Sequence, residues 1–417
     1  MASFRTSARV GSGSWPLGLL GMLALVACVE RGVSRNAPRF VTIDATSWAR
    51  ARSVAGRSAD ARVVALGDSL VKHGIVPAVV ERRIGRPACN LAVTGGHAPG
   101  HYFQLRRLLG TGARPDAVLV DGDTLGEDPL GLVRVWPELL GVAECGELAL
   151  AARDALALAA MTLGRLLPTY RARAEARAGV LDALGGRPPA VAAMLPMFER
   201  NWRKNREALL LPPRDDAAGP DPRLAALRRI DGRSAAWSCH PVNAVFVERL
   251  LDLAASREVP VFWLLPPLHP EVQARDDRTG SGEGYHRFLR SLTARHPNLS
   301  VIDGRHAGYP AGALADFVHL ARPGALAFSD AVAAVVGERL SVRPTDSAWI
   351  ALPPWREGAA AEVEAVVAVE DVRQSSQAFE RYAEVRRLAQ GRALGGTRST
   401  RSMPGAGNVK RGSKIRE

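Results

Sequence analysis

Arg62-Val63-Val64-Ala65-Leu66-Gly67-Asp68-Ser69-Leu70 is the stretch that decides how this chain folds. Four apolar residues follow Arg62, two of them β-branched, with no polar alternation. That pattern predicts a short strand buried on both faces, as strands of parallel sheets are. Gly67-Asp68 then breaks the strand, and the spacing toward Ile84 is helical. A strand that turns directly into a helix leaves Ser69 at the turn, with its hydroxyl free to face solvent. The competing expectation is that Asp68 or Ser69 does no more than cap the helix, which both residue types do well.

Working outward, the same alternation of apolar runs and helix-like stretches recurs. Ala88 to Val93 reads as a second strand, Asp116 to Val120 as a third, Pro260 to Leu265 as a fourth and Leu299 to Ile302 as a fifth. Each is flanked by Gly, Pro or Asp, the residues that close strands in such folds. The expected fold class is therefore α/β, a three-layer αβα sandwich with a five-stranded parallel sheet. Residues 130–240 interrupt the alternation with Ala, Leu and Arg at helical spacing. They read as a helical insertion at one edge of the sheet, with a flexible loop from Pro212-Pro213 through the Asp215 to Pro222 stretch. Residues 30–59 read as a polar linker. Residues 346–389 read as a carboxy-terminal extension, with an apolar segment at Trp349 to Leu352 and a helix-like stretch around Glu364 to Leu388. Residues 390–417 read as a disordered basic tail.

With 417 residues, 47% of them hydrophobic, the chain can fill a sizeable core. Its net charge of +13 comes from arginines spread along the whole length beside Ala and Gly, without zinc-finger spacing or a basic recognition helix, so no nucleic acid partner is expected. Cys28, Cys89, Cys145 and Cys239 form no CxxC pair and no metal-ligand spacing, and neither a metal nor a cofactor is expected. Arg5 and Arg9 precede an apolar run from Trp15 to Val29, short for a membrane span and apt for a signal-peptide core. It ends in Leu25-Val26-Ala27-Cys28, which resembles the lipobox of bacterial lipoproteins. Residues 1–29 are thus a signal peptide with a lipobox or an amino-terminal membrane anchor, and a buried core segment is the third alternative. The first two place the body outside the cytoplasm, held at a membrane through its N-terminus.

A second block carries chemistry. Asp316-Phe317-Val318-His319 precedes Leu320-Ala321-Arg322-Pro323-Gly324. A serine hydroxyl needs a base to take its proton, and the base needs a carboxylate to fix its tautomer. Three-residue spacing can supply both from one turn, with Asp316 under the imidazole and the far nitrogen toward the serine. Alone, His319 reads as an ordinary structural histidine. The G-x-S-x-G elbow of α/β-hydrolases is absent. His97 and His101 are four apart, but Pro99 and Gly100 speak against a regular helix and no Glu completes a zincin motif, so both read as structural. Trp263 reads as core, in the strand that leads to Pro266, Pro267 and His269 at the carboxyl edge of the sheet.

Taken together, the Gly67-Asp68-Ser69-Leu70 and Asp316-x-x-His319 blocks resemble the first and last blocks of the SGNH (GDSL-type) hydrolase family. The resemblance covers roughly residues 60 to 340 without the insertion, a domain of 60–345. Asn90-Leu91-Ala92-Val93-Thr94-Gly95-Gly96 resembles the second block. The family would make Ser69 the nucleophile, His319 the base and Asp316 its partner. The oxyanion would be held by the backbone N–H groups of Ser69 and Gly95, with Gly96 an adjacent alternative. In the third block the chain departs from the family's G-x-N-D: Asp121-Gly122-Asp123-Thr124 sets Asp123 where an asparagine would donate to the oxyanion. An ionised carboxylate there repels the developing charge. The resemblance implies an envelope-anchored serine esterase or acyltransferase that forms an acyl-enzyme. Its substrate would be an O-acyl, typically O-acetyl, group of a cell-envelope or extracellular carbohydrate. The alternative is a catalytically inactive relative that binds glycan or organises an envelope complex.

Overall fold

A computed structural model describes residues 17–35, 42–173, 190–214, 237–342 and 347–378, with positions 177, 181 and 380. Arg5, Arg9, the Asp215 to Pro222 loop and the basic tail lie outside the described residues. The chain divides into a body that ends at Ser375 and a second unit from Ser376 onward.

The body is α/β. Its described strands are β1 (Val63–Leu66), β2 (Ala88–Asn90), β3 (Ala117–Val120), β4 (Val261–Leu265), β5 (Leu299–Asp303) and β6 (Trp349–Ala351). All neighbours pair in parallel, in the order β2-β1-β3-β4-β5-β6. Alternation along the strands divides the core between the two faces, because successive side chains point to opposite sides. Val64, Leu66, Val118, Val120, Val261 and Trp263 meet helices Ile43–Ala55, Ala98–Gly110, Pro241–Ala255 and Glu283–Arg295. Val63, Ala65, Ala117, Leu119, Phe262 and Leu264 meet helices Ser69–Gly74, Pro77–Ile84 and Arg322–Val342. Trp263 is core, its indole N–H donating to the Tyr285 hydroxyl at 2.8 Å.

Several expectations are corrected. The sheet has six strands, not five: Trp349 pairs beside Val301, so the extension contributes an edge strand. The described part of the polar linker is largely helical. Helix Ile43–Ala55 is capped by the Thr42 side chain and buries Trp48, Ala51 and Ala55 in the core. Helix Ala98–Gly110 accommodates Pro99 and Gly100 because both sit in its first turn, where a missing N–H costs nothing. The insertion is helical, with helices Val142–Ala152, Ala155–Leu166 and Ala190–Lys204. It leaves the carboxyl end of β3, a central strand, rather than an edge of the sheet.

The inner end of the insertion is wedged into the body. Buried Asn201 accepts from the Leu210 N–H and donates to the Glu370 carbonyl, while Asn205 donates to Asn201 and to the same carbonyl. Leu211 bridges to Ala321, and Val372 donates its N–H to Leu210. The segment Leu209–Leu211 is thereby held between the helix that starts at Ser69 and the loop before Arg322.

Candidate active site

Parallel strands deliver their carboxyl ends to one rim, and between β1 and β3 the connections depart to opposite faces, which opens a crevice there. Ser69 follows β1, Gly95 follows β2, Asp123 follows β3 and Arg305 follows β5. Ser69 is the first residue of its helix. The cap is supplied by its neighbour, whose carboxylate accepts the Leu70 N–H at 2.8 Å, so the Ser69 hydroxyl is not spent on capping.

His319 comes from a loop closed by the Leu314–Leu320 bridge and by the Ala315 N–H donating to the His319 carbonyl. Inside the loop, Asp316 Oδ1 accepts the N–H groups of Val318 and His319 at 2.9 and 2.8 Å. Its Oδ2 lies 2.7 Å from His319 Nδ1. Burial would raise the Asp316 carboxyl, but the hydrogen bond and charge of His319 and the two backbone donors outweigh it and hold the group down at about 2. Being ionised, Asp316 can only accept, which puts the proton on Nδ1 and leaves the Nε2 lone pair facing outward. His319 Nε2 is 2.8 Å from Ser69 Oγ. The structure therefore joins Ser69, His319 and Asp316 in one hydrogen-bonded chain.

Gly95 adopts φ of +65°, a conformation that suits glycine. Among the described residues no acceptor takes the N–H of Ser69 or of Gly95, whereas the Gly96 N–H is committed to the Val93 carbonyl at 2.9 Å. Of the two adjacent glycines, Gly95 is the one with a donor to offer. Its loop is held from behind by the Trp48 indole N–H, which donates to the Thr94 carbonyl at 2.9 Å, and from the side by Thr124 Oγ1, which donates to the Gly96 carbonyl at 2.5 Å. Asn90, at the end of β2, donates to the carbonyls of Val71 and Ile75 and so fixes the Ser69 helix against this loop.

Asp123, just after β3 at the carboxyl end of the sheet, is exposed to solvent. The protein packed near it raises its carboxyl above the usual value, against the charges of Arg305 and His319. No hydrogen bond to its carboxylate is present among the described residues. Lys72 gives Ser69 an S-x-x-K spacing, but its amine turns away to the Trp202 ring, 6.0 Å from the centroid, where burial pulls it down to about 8. His97 and His101 are buried, and among the described residues no group of three or more His, Cys, Asp or Glu is arranged to hold a metal ion.

Residues that the motifs do not mark complete the site. His73, one helical turn after Ser69, is edge-on to His319 with ring centroids 4.9 Å apart. Its Nδ1–H donates to the Leu209 carbonyl at 2.7 Å, and burial pulls it down to about 3, so it is a neutral wall against which His319 rests. Asp121 Oδ1 accepts the Asp68 N–H at 2.9 Å, and a Cβ at Gly67 would strike the same carboxylate, which explains that glycine. Both carboxyls are fully buried and close enough for the charge of one to act on the other. Were both ionised, each would leave a buried Oδ2 without a donor. One proton between them resolves this, and burial followed by mutual repulsion pushes Asp68 well above the ordinary carboxylate value; burial raises Asp121 as well.

A carboxyl raised by folding stabilises fully below its unfolded value and loses that contribution as pH rises through its folded value. The wild type should therefore lose stability from this pair as pH climbs from about 4 through neutrality. In Asp121→Asn the amide supplies the missing donor to an ionised Asp68, and the loss should shrink. Chemical denaturation at several pH values tests this, and equal slopes in both proteins would refute the shared proton. No family model matches this chain and no curated protein matches its sequence, so what links Ser69, His319 and Asp316 is their geometry.

Proposed function

We propose that the chain is a serine-dependent esterase or acyltransferase of SGNH type, built as a three-layer αβα sandwich. The observation that carries this reading is the hydrogen-bonded chain Ser69–His319–Asp316, together with the N–H groups of Ser69 and Gly95, which no acceptor takes among the described residues. Ser69 Oγ attacks an ester carbonyl while its proton passes to His319 Nε2. The carbonyl oxygen becomes an oxyanion held by the two N–H groups. Asp316 stays ionised and stabilises the imidazolium without taking its proton. When the tetrahedral intermediate collapses, the C–O bond to the alcohol breaks, His319 returns the proton to the leaving oxygen, and an acyl-Ser69 remains. Water or a second hydroxyl then attacks, its proton goes to His319, and Ser69 is released. The two outcomes, hydrolysis and acyl transfer, differ only in that second nucleophile.

The substrate class we propose is an O-acyl group, typically O-acetyl, on envelope or extracellular carbohydrate. This extends the reading of residues 1–29 as a signal peptide or membrane anchor, which sets the body outside the cytoplasm. Helix Leu17–Arg35 runs through Cys28, and no helix among the described residues is long and apolar enough to cross a membrane. Asp123 favours a second reading, a glycan-binding relative without turnover, because a charged carboxylate in the crevice opposes an oxyanion.

On the catalytic reading, Ser69→Ala and His319→Ala each abolish most turnover of p-nitrophenyl acetate with the fold retained. Asp316→Asn loses on the order of 10⁴-fold, since members of a triad act as a unit. Wild-type rates in Ser69→Ala would remove the triad. Asp123 gives a separate outcome. If its side chain serves the oxyanion it does so protonated, and activity should fall as pH rises through its raised value. Asp123→Asn, with a permanent N–H donor, should abolish that fall and raise turnover by up to about 10²-fold. Superimposable pH–rate profiles would exclude Asp123 from oxyanion binding.

A further inference from the structure

The hairpin formed by helices Val142–Ala152 and Ala155–Leu166 has no ordinary solvent face. The second helix reads ALALAAMTLGRL, apolar around its whole circumference except for Thr162 and Arg165. Such a helix is normally buried in protein or in lipid. Here it buries only Ala157, Met161 and Gly164 and leaves Leu156 82% and Leu166 68% exposed. The first helix leaves Leu150 80% and Val142 61% exposed. The two most exposed leucines, Leu150 and Leu156, flank the turn at Arg153-Asp154, so they form the tip of the hairpin.

The hairpin's charges are turned elsewhere. Glu144 pairs with Arg107 at 2.5 Å and Glu147 with Arg106 at 2.8 Å, both partners lying on helix Ala98–Gly110. Arg165 donates to the carbonyls of Pro137 and Leu140, and Asp154 caps the second helix by accepting from Leu156 and Ala157. What remains outward is apolar, apart from Arg153 at the turn and Arg165 near the far end of the second helix, both exposed.

A second apolar surface adjoins it. Directly after the hairpin, Thr169 donates its N–H to Glu30 at 2.9 Å, which ties down helix Leu17–Arg35. That helix exposes Leu20, Leu23, Leu25 and Val26, and carries exposed Arg31 and Arg35 toward its C-terminal end. Apolar side chains bordered by arginines match the interface of an anionic bilayer, where acyl chains take the former and phosphates the latter.

We propose that the hairpin Val142–Leu166 is a lipid-interface surface which dips Leu150 and Leu156 below the headgroups of an anionic membrane. This rests on the membrane address proposed for the N-terminus, and adds a second contact that fixes the orientation of the body on the bilayer. The hairpin contact is read on the full chain carrying Leu156→Cys and Cys28→Ser, labelled with an environment-sensitive fluorophore. Cys89, Cys145 and Cys239 compete poorly for the label, since burial pushes their thiols up to about 12, 11 and 12. Val342→Cys, on the opposite face of the sheet, is the control. Flotation of the chain with Cys28 unchanged, on phosphatidylcholine vesicles with and without phosphatidylglycerol, reads the N-terminal address. On anionic vesicles the label at position 156 should shift to the blue and be quenched by acyl-chain quenchers, while the label at 342 stays unchanged. A chain that floats with position 156 still in water overturns the hairpin and leaves the N-terminal address intact. A label at 156 already shielded without lipid, in a concentration-dependent manner, means a second copy covers the hairpin and overturns the proposal. A chain that does not float overturns both.

Discussion

The 2.8 Å contact between Ser69 and His319 closes a separation of 250 residues. Neither partner can be adjusted alone. Ser69 is fixed by the strand-to-helix turn, by the Asp68 cap and by the Asn90 amide that holds its helix. His319 is fixed by a small closed loop, by Asp316 beneath it and by the His73 ring beside it. The sheet brings the two loops to one rim, and the insertion's Leu209–Leu211 segment locks them together. Leu209 accepts from His73 and donates to the Lys72 carbonyl, and Leu211 accepts from the Arg322 N–H. A long helical excursion from a central strand thus returns to brace the two halves of the site. A contact aligned in this way needs little rearrangement to reach a reactive geometry, which is how positioning contributes to rate.

Four aspartates stand in or near the crevice, and their surroundings set three behaviours. Asp316, with two backbone donors and an imidazole, stays ionised far into acid. Asp68 and Asp121 are buried side by side, and burial raises both, which favours a proton held between them behind the turn at Ser69. Asp123, exposed to solvent, is raised by the protein packed near it and checked by Arg305 and His319. The residue type alone says nothing about which role each plays; desolvation and neighbouring charge decide it.

The strands that bury both faces were legible because a run such as Val63-Val64-Ala65-Leu66 admits few other structures. The two blocks around Ser69 and Asp316-x-x-His319 were legible because residue types and spacing jointly state a chemistry. What stayed hidden depends on non-local packing. β6 is only Trp349-Ile350-Ala351, and its strand character comes from the β5 edge it completes. Helix Ile43–Ala55 carries alternating Arg and Ala that look like linker, and only the burial of Trp48 beneath Thr94 gives it a place. His73 is a lone histidine on a buried helix, and Asp121 acquires meaning only when folding presses it against Gly67. The Leu209–Leu211 brace is irregular backbone, so no periodicity announces it.

The central claim is that Ser69 is a nucleophile activated by His319. It is tested most directly by treating the native protein with a serine-reactive fluorophosphonate and mapping the adduct by peptide mass spectrometry. The adduct should sit on Ser69 alone and form slowly or not at all in His319→Ala. Modification of a different serine, or labelling of Ser69 that proceeds equally fast without His319, would contradict the account.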